Sequence, residues 1–321
     1  MRFSNATANR WIIRAAGLTL LLLLPITLTA QTHTQQVSVS LIVTDHSNRS
    51  VKNLRLEHIQ LTEDGRPIKL TSLEKDDRPV RCVIALDMSG SFHNLTGVSA
   101  EVARVLIETK RLQDEFAIVT FTSSEKIHTL IDFTTNSDDL LNSLKLLRVE
   151  KGQTAVMDAV YLVTQHAAER AANQDVRTVV VLLTDGEDRD SYYQEEQLVK
   201  LLRGQDVQFF ILGFVNELNK EGGLIKLSPR ARAEKLLLTL AKESGGRVFF
   251  VNKDPGLVEA AKQVIMDLDS QYLMRFNRQA KDGETGIRKI TVSIVNDPQA
   301  KDLNAITKPG YRVGPREPIK D

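Results

Sequence analysis

The strongest constraint on the fold is a short stretch in which an apolar run leads directly into an acid and two hydroxyls. Residues 83–86 are apolar, Asp87 follows them, and Ser89 and Ser91 come next at alternate positions with Gly90 between them. An uninterrupted apolar run of this kind predicts a strand covered on both faces of a parallel sheet. Open α/β sheets bind ligands at the carboxyl ends of such strands. Because a glycine allows a sharp turn, the three side chains can converge, and their oxygens suit a hard cation such as Mg²⁺ or Mn²⁺.

Two later stretches supply further oxygen donors. Thr154 lies in a loop that begins at Gly152, directly before a helical pattern of apolar residues. A second apolar run, residues 179–183, leads through Thr184 to Asp185, and Gly186 follows as a turn residue. The sequence therefore predicts a second buried strand that ends in an acid, as the first one does.

These pieces, taken in order, resemble the metal-ion-dependent adhesion site (MIDAS) of von Willebrand factor type A (VWA) domains. The resemblance covers about Arg81 to Ser270 and implies that one divalent cation, Mg²⁺ or alternatively Mn²⁺ or Ca²⁺, is bound. It also implies that an Asp or Glu of a protein partner completes the coordination of that cation. The implied metal ligands are Asp87, Ser89, Ser91, Thr154 and Asp185.

Three further residues are candidates to support this site rather than to bind the metal: Gly90, Asp158 and Gly186. Asp158 either hydrogen-bonds the metal-binding loops or is an ordinary acid at a helix N-terminus. In some VWA domains, ligand affinity is coupled to sliding of the last helix. The corresponding helix here is Leu257 to Ser270.

Charge and cysteine content exclude some classes of protein. The net charge is +1 and no basic run is present, which argues against nucleic acid as the main partner. Cys82 is the single cysteine. It is expected to be a buried small side chain, and a disulfide framework is excluded.

The first thirty residues predict export. Arg10 and Arg14 precede an apolar stretch from Ala15 to Leu24, and small residues end at Ala30. This is the pattern of a secretory signal peptide. We expect cleavage after Ala30, which leaves no membrane span; an uncleaved anchor is the alternative. The protein is accordingly expected to be periplasmic, on the outer surface or secreted.

Strand and helix patterns alternate along the middle of the chain. This alternation predicts a doubly wound, mainly parallel α/β sheet with helices on both faces, the architecture of a VWA domain. One of the helices is expected over Asp138 to Leu147, with Ser137 or Asp138 as its cap.

Period-two patterns before and after this region predict a small β-rich unit built from both flanks. They include a strand from Leu54 to Leu61 and a hairpin-like turn at Asp282–Gly286. Such flanks also look like those of secreted bacterial VWFA-related proteins. The predicted organisation is a signal peptide (1–30), an N-terminal β-rich segment (36–76), a VWA domain (81–270), a C-terminal β-rich segment (271–313) and a tail (314–321).

The leading functional hypothesis is an exported, non-enzymatic protein-interaction module of the adhesion type. A metal-dependent phosphotransferase or hydrolase of the haloacid-dehalogenase type is the alternative, because such enzymes also place an Asp after a buried strand. They require a second acid two residues later, where this chain has Ser89. A structural subunit of an envelope assembly is a third reading.

Overall fold

The computed structural model describes residues 32–90, 95–150, 152–171, 174–221, 227–252 and 254–314. The predicted signal peptide (1–30), residues 315–321 of the predicted tail and the predicted ligand Ser91 lie outside the described residues. The description therefore begins with the strands that precede the Asp87 stretch. They are β1 (Thr32–Thr44), β2 (Ile59–Glu63), β3 (Arg66–Ile68) and β4 (Leu70–Lys75).

Strands and helices then alternate through the middle of the chain. The strands are β5 (Val80–Asp87), β6 (Glu115–Ser123), β7 (Lys126–Thr134), β8 (Arg177–Thr184), β9 (Gln208–Gly213) and β10 (Arg247–Phe250). The helices are α1 (Thr96–Thr109), α2 (Ser137–Ser143), α3 (Val156–Arg170), α4 (Glu195–Gly204), α5 (Pro229–Ser244) and α6 (Asp254–Ser270). Four strands complete the chain: β11 (Tyr272–Lys281), β12 (Gly286–Ile294), β13 (Asn304–Ile306) and β14 (Gly310–Val313).

The central sheet has six strands in the order β10-β9-β8-β5-β6-β7. All neighbouring pairs are parallel except β6 and β7, which are antiparallel. Every residue of β5 and of β8 is buried. The apolar runs at residues 83–86 and 179–183 therefore form the two middle strands, as a doubly covered parallel sheet requires.

Helices cover both faces of the central sheet, and successive strand residues point to opposite faces. Ile84 and Leu86 pack in one core with α1, α2 and α6. Val83 and Ala85 pack in the other core with α3, α4 and α5. The predicted doubly wound α/β fold is confirmed.

The flanks form two four-stranded antiparallel sheets, which we call the flanking sandwich. Their orders are β13-β1-β11-β4 and β14-β12-β2-β3. Strand β1 pairs with β11 over ten residues, so the two ends of the chain build one sheet. The sheets share a core that includes Leu41, Leu61 and Phe276. The predicted β-rich unit from both flanks is confirmed.

Three local predictions differ from the structure. The chain before Ile59 is a single turn of 3-10 helix at Leu56–His58 rather than a strand from Leu54. The cap of α2 is Asn136, whose side chain accepts from the N–H groups of the two following acids, Asp138 and Asp139. The turn at 282–285 does not close a hairpin, because β11 and β12 belong to different sheets.

The flanking sandwich is fixed to the central α/β unit by buried contacts. Ile42 of β1 is 1% exposed and belongs to the core beneath α1 and α6. Asp267 of α6 is fully buried and forms two hydrogen bonds with Arg247 of β10, at 2.8 and 2.6 Å. The Ser50 hydroxyl also donates to Asp267, and Arg247 donates to the carbonyl oxygen of Asn48 at 3.1 Å.

No helix within the described ranges combines the length and the apolar character that a membrane span requires.

Candidate metal centre

The predicted acids lie where the sheet order reverses. Strands β5 and β8 are hydrogen-bonded neighbours, but the chain continues from β5 to β6 on one side and from β8 to β9 on the other. Asp87 is the last residue of β5, and Asp185 directly follows β8. Crevices at such reversals, outside the carboxyl ends of the strands, are the ligand sites of open α/β sheets. We call this place the metal edge.

Asp87 is held rigidly by neutral donors. It is fully buried, and one carboxylate oxygen accepts from the N–H of Ser89 at 3.0 Å. The Ser89 hydroxyl is a further hydrogen-bond partner. The other oxygen accepts from the hydroxyl of Thr184 at 2.7 Å. Both oxygens of Asp87 are therefore oriented by described neighbours.

Two buried carboxylates at one place raise the electrostatic energy of the site. Asp185 is 3% exposed, and its carboxylate accepts from the N–H of Glu187 at 2.9 Å. Burial and, after it, the negative charge of Asp185 raise the pKa of Asp87 to about 7, although the hydrogen bonds from Ser89 and Thr184 lower it. A buried carboxylate is disfavoured unless a positive charge compensates it.

The Thr154 loop is fastened to both acid-bearing loops. The carbonyl oxygen of Thr154 accepts from the N–H groups of Arg189 and Asp190 at 2.9 and 3.3 Å. The N–H of Glu150, before this loop, donates to the carbonyl oxygen of Met88 at 3.1 Å. Thr154 itself is buried. Backbone hydrogen bonds therefore bring the three loops together at the metal edge.

Asp158 fixes the loop that follows Asp185. Its carboxylate accepts from the N–H groups of Tyr192 and Tyr193 at 2.9 and 2.8 Å, and also from the hydroxyl of Ser124. Asp158 is 3% exposed. Asp158 also lies in the first turn of α3, so the geometry agrees with both readings of this acid.

The two glycines differ in what the backbone requires of them. Gly186 has φ +74°, and an added Cβ would lie 3.0 Å from the Leu237 side chain, so only glycine fits without strain. At Gly90, an added Cβ would meet no described atom within 4 Å, and φ is not in the left-handed region. Residues 91–94 lie outside the described residues, so the turn-forming role of Gly90 stays a prediction.

Two contributing residues were missed by the sequence analysis. Thr184 is fully buried; it donates to Asp87 and accepts from the N–H of Gly186 at 3.0 Å. Asp188 accepts from the N–H of Met157 at 3.0 Å, at the start of α3, and burial raises its pKa. Thr184 was visible as the first residue of the Thr-Asp-Gly pattern, whereas nothing in the sequence marks the contact of Asp188.

The donor set of the metal edge fits a hard divalent cation. Asp87, Ser89, Thr154 and Asp185 are all buried there and offer carboxylate and hydroxyl oxygens, which suit Mg²⁺, Mn²⁺ or Ca²⁺. No three His, Cys, Asp or Glu side chains of the described part cluster as a metal site would need.

The chain matches the family model of the von Willebrand factor type A domain over residues 82–263, more than half of its 321 residues. It therefore belongs to the VWA domain family. Comparison with curated protein sequences gave no match.

Solved structures with a similar fold include two bacterial proteins and one protein from a mussel. The conserved hypothetical protein BatB from Bacteroides thetaiotaomicron is 18% identical, with 58% of this chain and 97% of that chain covered and a TM-score of 0.44. A von Willebrand factor type A protein from Catenulispora acidiphila is 11% identical, with 87% of this chain and 75% of that chain covered and a TM-score of 0.49. Proximal thread matrix protein 1 from the mussel byssus, in a structure whose MIDAS motif is occupied by zinc, is 17% identical, with 65% of this chain and 50% of that chain covered and a TM-score of 0.48. At these identities the likeness concerns the fold alone.

Proposed function

We propose that this protein is an exported, non-enzymatic interaction module that binds an Asp or Glu of a protein partner through a divalent cation at the metal edge. One observation carries the proposal: Asp87 is fully buried, its hydrogen-bond donors are neutral, and the nearby charge of Asp185 repels it. A dication would neutralise both carboxylates, which is the compensation that their burial calls for.

The residues that would hold the cation are Asp87, Ser89, Ser91, Thr154 and Asp185. When bound, the cation supplies a positive charge and a coordination position for a carboxylate oxygen of the partner. Thr184 would keep Asp87 in its rotamer, and Asp158 would keep the loop after Asp185 in place. Mg²⁺ is the first candidate, because it pairs with one or two carboxylates and otherwise takes neutral oxygen donors.

Two sequence features support the finer parts of the proposal. The pattern of the first thirty residues supports export. Ser89 occupies the position at which a haloacid-dehalogenase-type enzyme needs its second acid, which supports a binding role over phosphoryl transfer. The domain boundaries that go with this proposal are those predicted above, with residues 81–270 as the interaction domain.

The test is metal binding followed by partner capture. Mn²⁺ binding to the protein and to Asp87→Ala is measured by calorimetry, with Asp302→Asn, an exposed acid of the flanking sandwich, as the matched control. Immobilised protein is then exposed to an envelope extract in Mg²⁺ and in chelator. We expect Mn²⁺ to bind the protein and the control but not Asp87→Ala, and a captured protein to be lost with chelator and with Asp87→Ala.

Equal Mn²⁺ affinity in Asp87→Ala and the unchanged protein would contradict the metal site. Capture that is indifferent to chelator would contradict metal-mediated binding even if the metal site exists. Turnover of phosphate esters that Asp87→Ala abolishes would favour the enzyme instead.

A further inference from the structure

An exposed tyrosine stands beside the metal edge on a fixed backbone. Tyr192 is 79% exposed, although its N–H is bound by the buried carboxylate of Asp158. Asp158 lies in the first turn of α3, four residues after Thr154, and its N–H donates to the hydroxyl of Ser191 at 3.2 Å. The backbone that carries Tyr192 is thus anchored to the same helix start as a predicted metal ligand.

The Tyr192 ring is supported by two further rings. Tyr161 of α3 is buried and stacks on Tyr193 with centroids 3.6 Å apart at 10°. Tyr193 in turn meets Tyr192 edge to face, with centroids 5.4 Å apart at 85°. A supported aromatic ring loses little conformational entropy on binding, and exposed tyrosines of this kind are frequent binding hot spots.

The surroundings of Tyr192 are acidic. We call residues 186–196 the rim segment; it carries five acids and one base, so its formal charge is 1 − 5 = −4. Glu187 pairs with Arg189 at 2.7 Å, and Lys235 of α5 lies 4.0 Å from Glu195. Asp190 and Glu196 are exposed. The segment therefore remains negative after its internal pairs are formed.

This charge bears on what can reach a metal at the edge. A dication bound by Asp87 and Asp185 would be close to neutral together with its two ligands, whereas the rim segment beside it would stay negative. A partner that brought only a carboxylate would approach against this repulsion. A cation next to the partner's acid would remove the repulsion, and the face of an exposed aromatic ring attracts cations.

We propose that Tyr192 and the rim segment receive a Lys or Arg side chain that accompanies the metal-binding acid of the partner. The partner segment is accordingly zwitterionic: one carboxylate directed to the metal and one cation over the Tyr192 ring. This inference rests on the proposed function, because it specifies the partner of the same site.

A random peptide display library is the probe. The protein is panned in Mg²⁺ and in chelator, in parallel with Tyr192→Ala, Tyr192→Phe and Asp87→Ala. We expect the peptides selected in Mg²⁺ to share an acid with a Lys or Arg at a fixed spacing. Tyr192→Phe keeps the ring face and should select the same pattern. Tyr192→Ala should keep the acid and weaken the cation preference, because the negative rim segment remains.

A selected peptide is then used to measure how much its cation contributes to the affinity. Replacing its Lys or Arg by Gln should weaken binding to the protein by about two- to fivefold, the range for an exposed cation–aromatic contact. The same replacement should have a smaller effect on binding to Tyr192→Ala, because only the attraction of the rim segment is left to lose.

The outcomes separate the two proposals. Selection of acids in Mg²⁺ without a cation, with a cation that Tyr192→Ala selects as strongly as the unchanged protein, or with an apolar residue instead would overturn the inference and leave metal-mediated binding standing. Selection without any preference for acids, or unaffected by chelator and by Asp87→Ala, would overturn the proposed function and this inference with it.

Discussion

At the scale of single residues, the site depends on the protonation of Asp87. Burial and the charge of Asp185 raise its pKa from 3.8 to about 7 in the protein without a cation. Between these two values the folded protein binds more protons than the unfolded chain, so the free energy of unfolding falls as the pH rises. A bound cation would take the place of the proton.

We therefore predict that Mg²⁺ raises the melting temperature more at pH 8 than at pH 5.5, measured by thermal unfolding at constant ionic strength. The comparison is made with Asp87→Asn, because Asp188 and Asp267 also have raised pKa values and contribute in the same direction. Asp87→Asn should show little effect of Mg²⁺ at either pH. A Mg²⁺ effect that is equal at both pH values would contradict the assignment.

Thr184 gives a second prediction at this scale. Its hydroxyl orients Asp87 and accepts from Gly186. Thr184→Val removes both contacts with little change of shape and should weaken Mn²⁺ binding by about 10- to 100-fold, as loss of such an orienting contact does. Thr184→Ser keeps the hydroxyl and should restore most of the affinity in the same calorimetric titration. Equal loss in both variants would mean that Thr184 acts through packing alone.

The residues also show which parts of the site a sequence can reveal. The acids Asp87 and Asp185 were predictable because Asp87 directly follows one apolar run and Asp185 follows another after a single residue, Thr184, which places both at strand ends. The hydrogen bond from Thr184 to Asp87 was not predictable, because it joins residues 97 positions apart and exists only once β5 and β8 pair. The hydrogen bond from Met157 at the start of α3 to Asp188 likewise joins distant parts of the chain, so the sequence did not reveal it.

At the scale of elements, α6 is attached to the rest of the molecule by buried polar contacts. Asp267 is buried against Arg247, and the carbonyl oxygen of Leu268 accepts from the Arg177 guanidinium at 2.7 Å. Burial raises the pKa of Asp267 even though Arg247 lowers it. Sliding of α6 along its axis would break both the ion pair with Arg247 and the hydrogen bond from Arg177. A coupling of α6 to ligand affinity by sliding would therefore require the loss of these two contacts.

Arg247→Met should destabilise the protein by about 3–5 kcal/mol at pH 8, because it leaves the Asp267 carboxylate buried without its partner. The double variant Arg247→Met, Asp267→Leu should recover part of this loss. Arg104→Met serves as the control, since Arg104 forms its ion pairs on the exposed face of α1 and such pairs contribute less than about 1 kcal/mol. Chemical denaturation gives all three values. A cost for Arg247→Met no larger than for Arg104→Met would contradict the buried role.

Element boundaries were less predictable than element types. The strand and helix alternation was correct because each element has its own apolar period. The start of α2 was misplaced because Asn136, Ser137 and Asp138 are all good capping residues, and only the backbone geometry selects Asn136. The turn between β11 and β12 did not reveal that the two strands belong to different sheets. Their sheet membership depends on their partners β1 and β2, which lie far away in the chain.

At the scale of the whole molecule, the flanking sandwich and the central α/β unit share buried residues. Ile42 lies in the core beneath α6 while its neighbours Leu41 and Val43 lie in the sandwich core. Strand β1 therefore belongs to both units at once. The alternating pattern of residues 37–43 predicted a half-buried strand, but the sequence could not show that Ile42, on the opposite face, is buried too.

Hydrogen exchange tests this shared burial. We expect the amides of residues 37–43 to exchange as slowly as those of β5, because unfolding of one unit exposes apolar surface of the other. Ile42→Asn should speed exchange in both units. Rapid exchange of residues 37–43 with β5 still protected would show that the two units unfold separately.

The chain leaves the flanking sandwich after Lys75 and re-enters it at Tyr272, and these two residues are paired across β4 and β11. The N–H of Asp76 donates to the carbonyl oxygen of Gln271 at 2.8 Å, so exit and re-entry lie side by side. The α/β unit is thus inserted between β4 and β11, two neighbouring antiparallel strands that a short turn could otherwise have joined. Strand β5 starts near this junction and runs for eight residues, roughly 25 Å at the usual rise of a strand. Another sheet that accepted this insertion between two adjacent strands would therefore carry the candidate metal site at the end of the insert that lies away from that sheet.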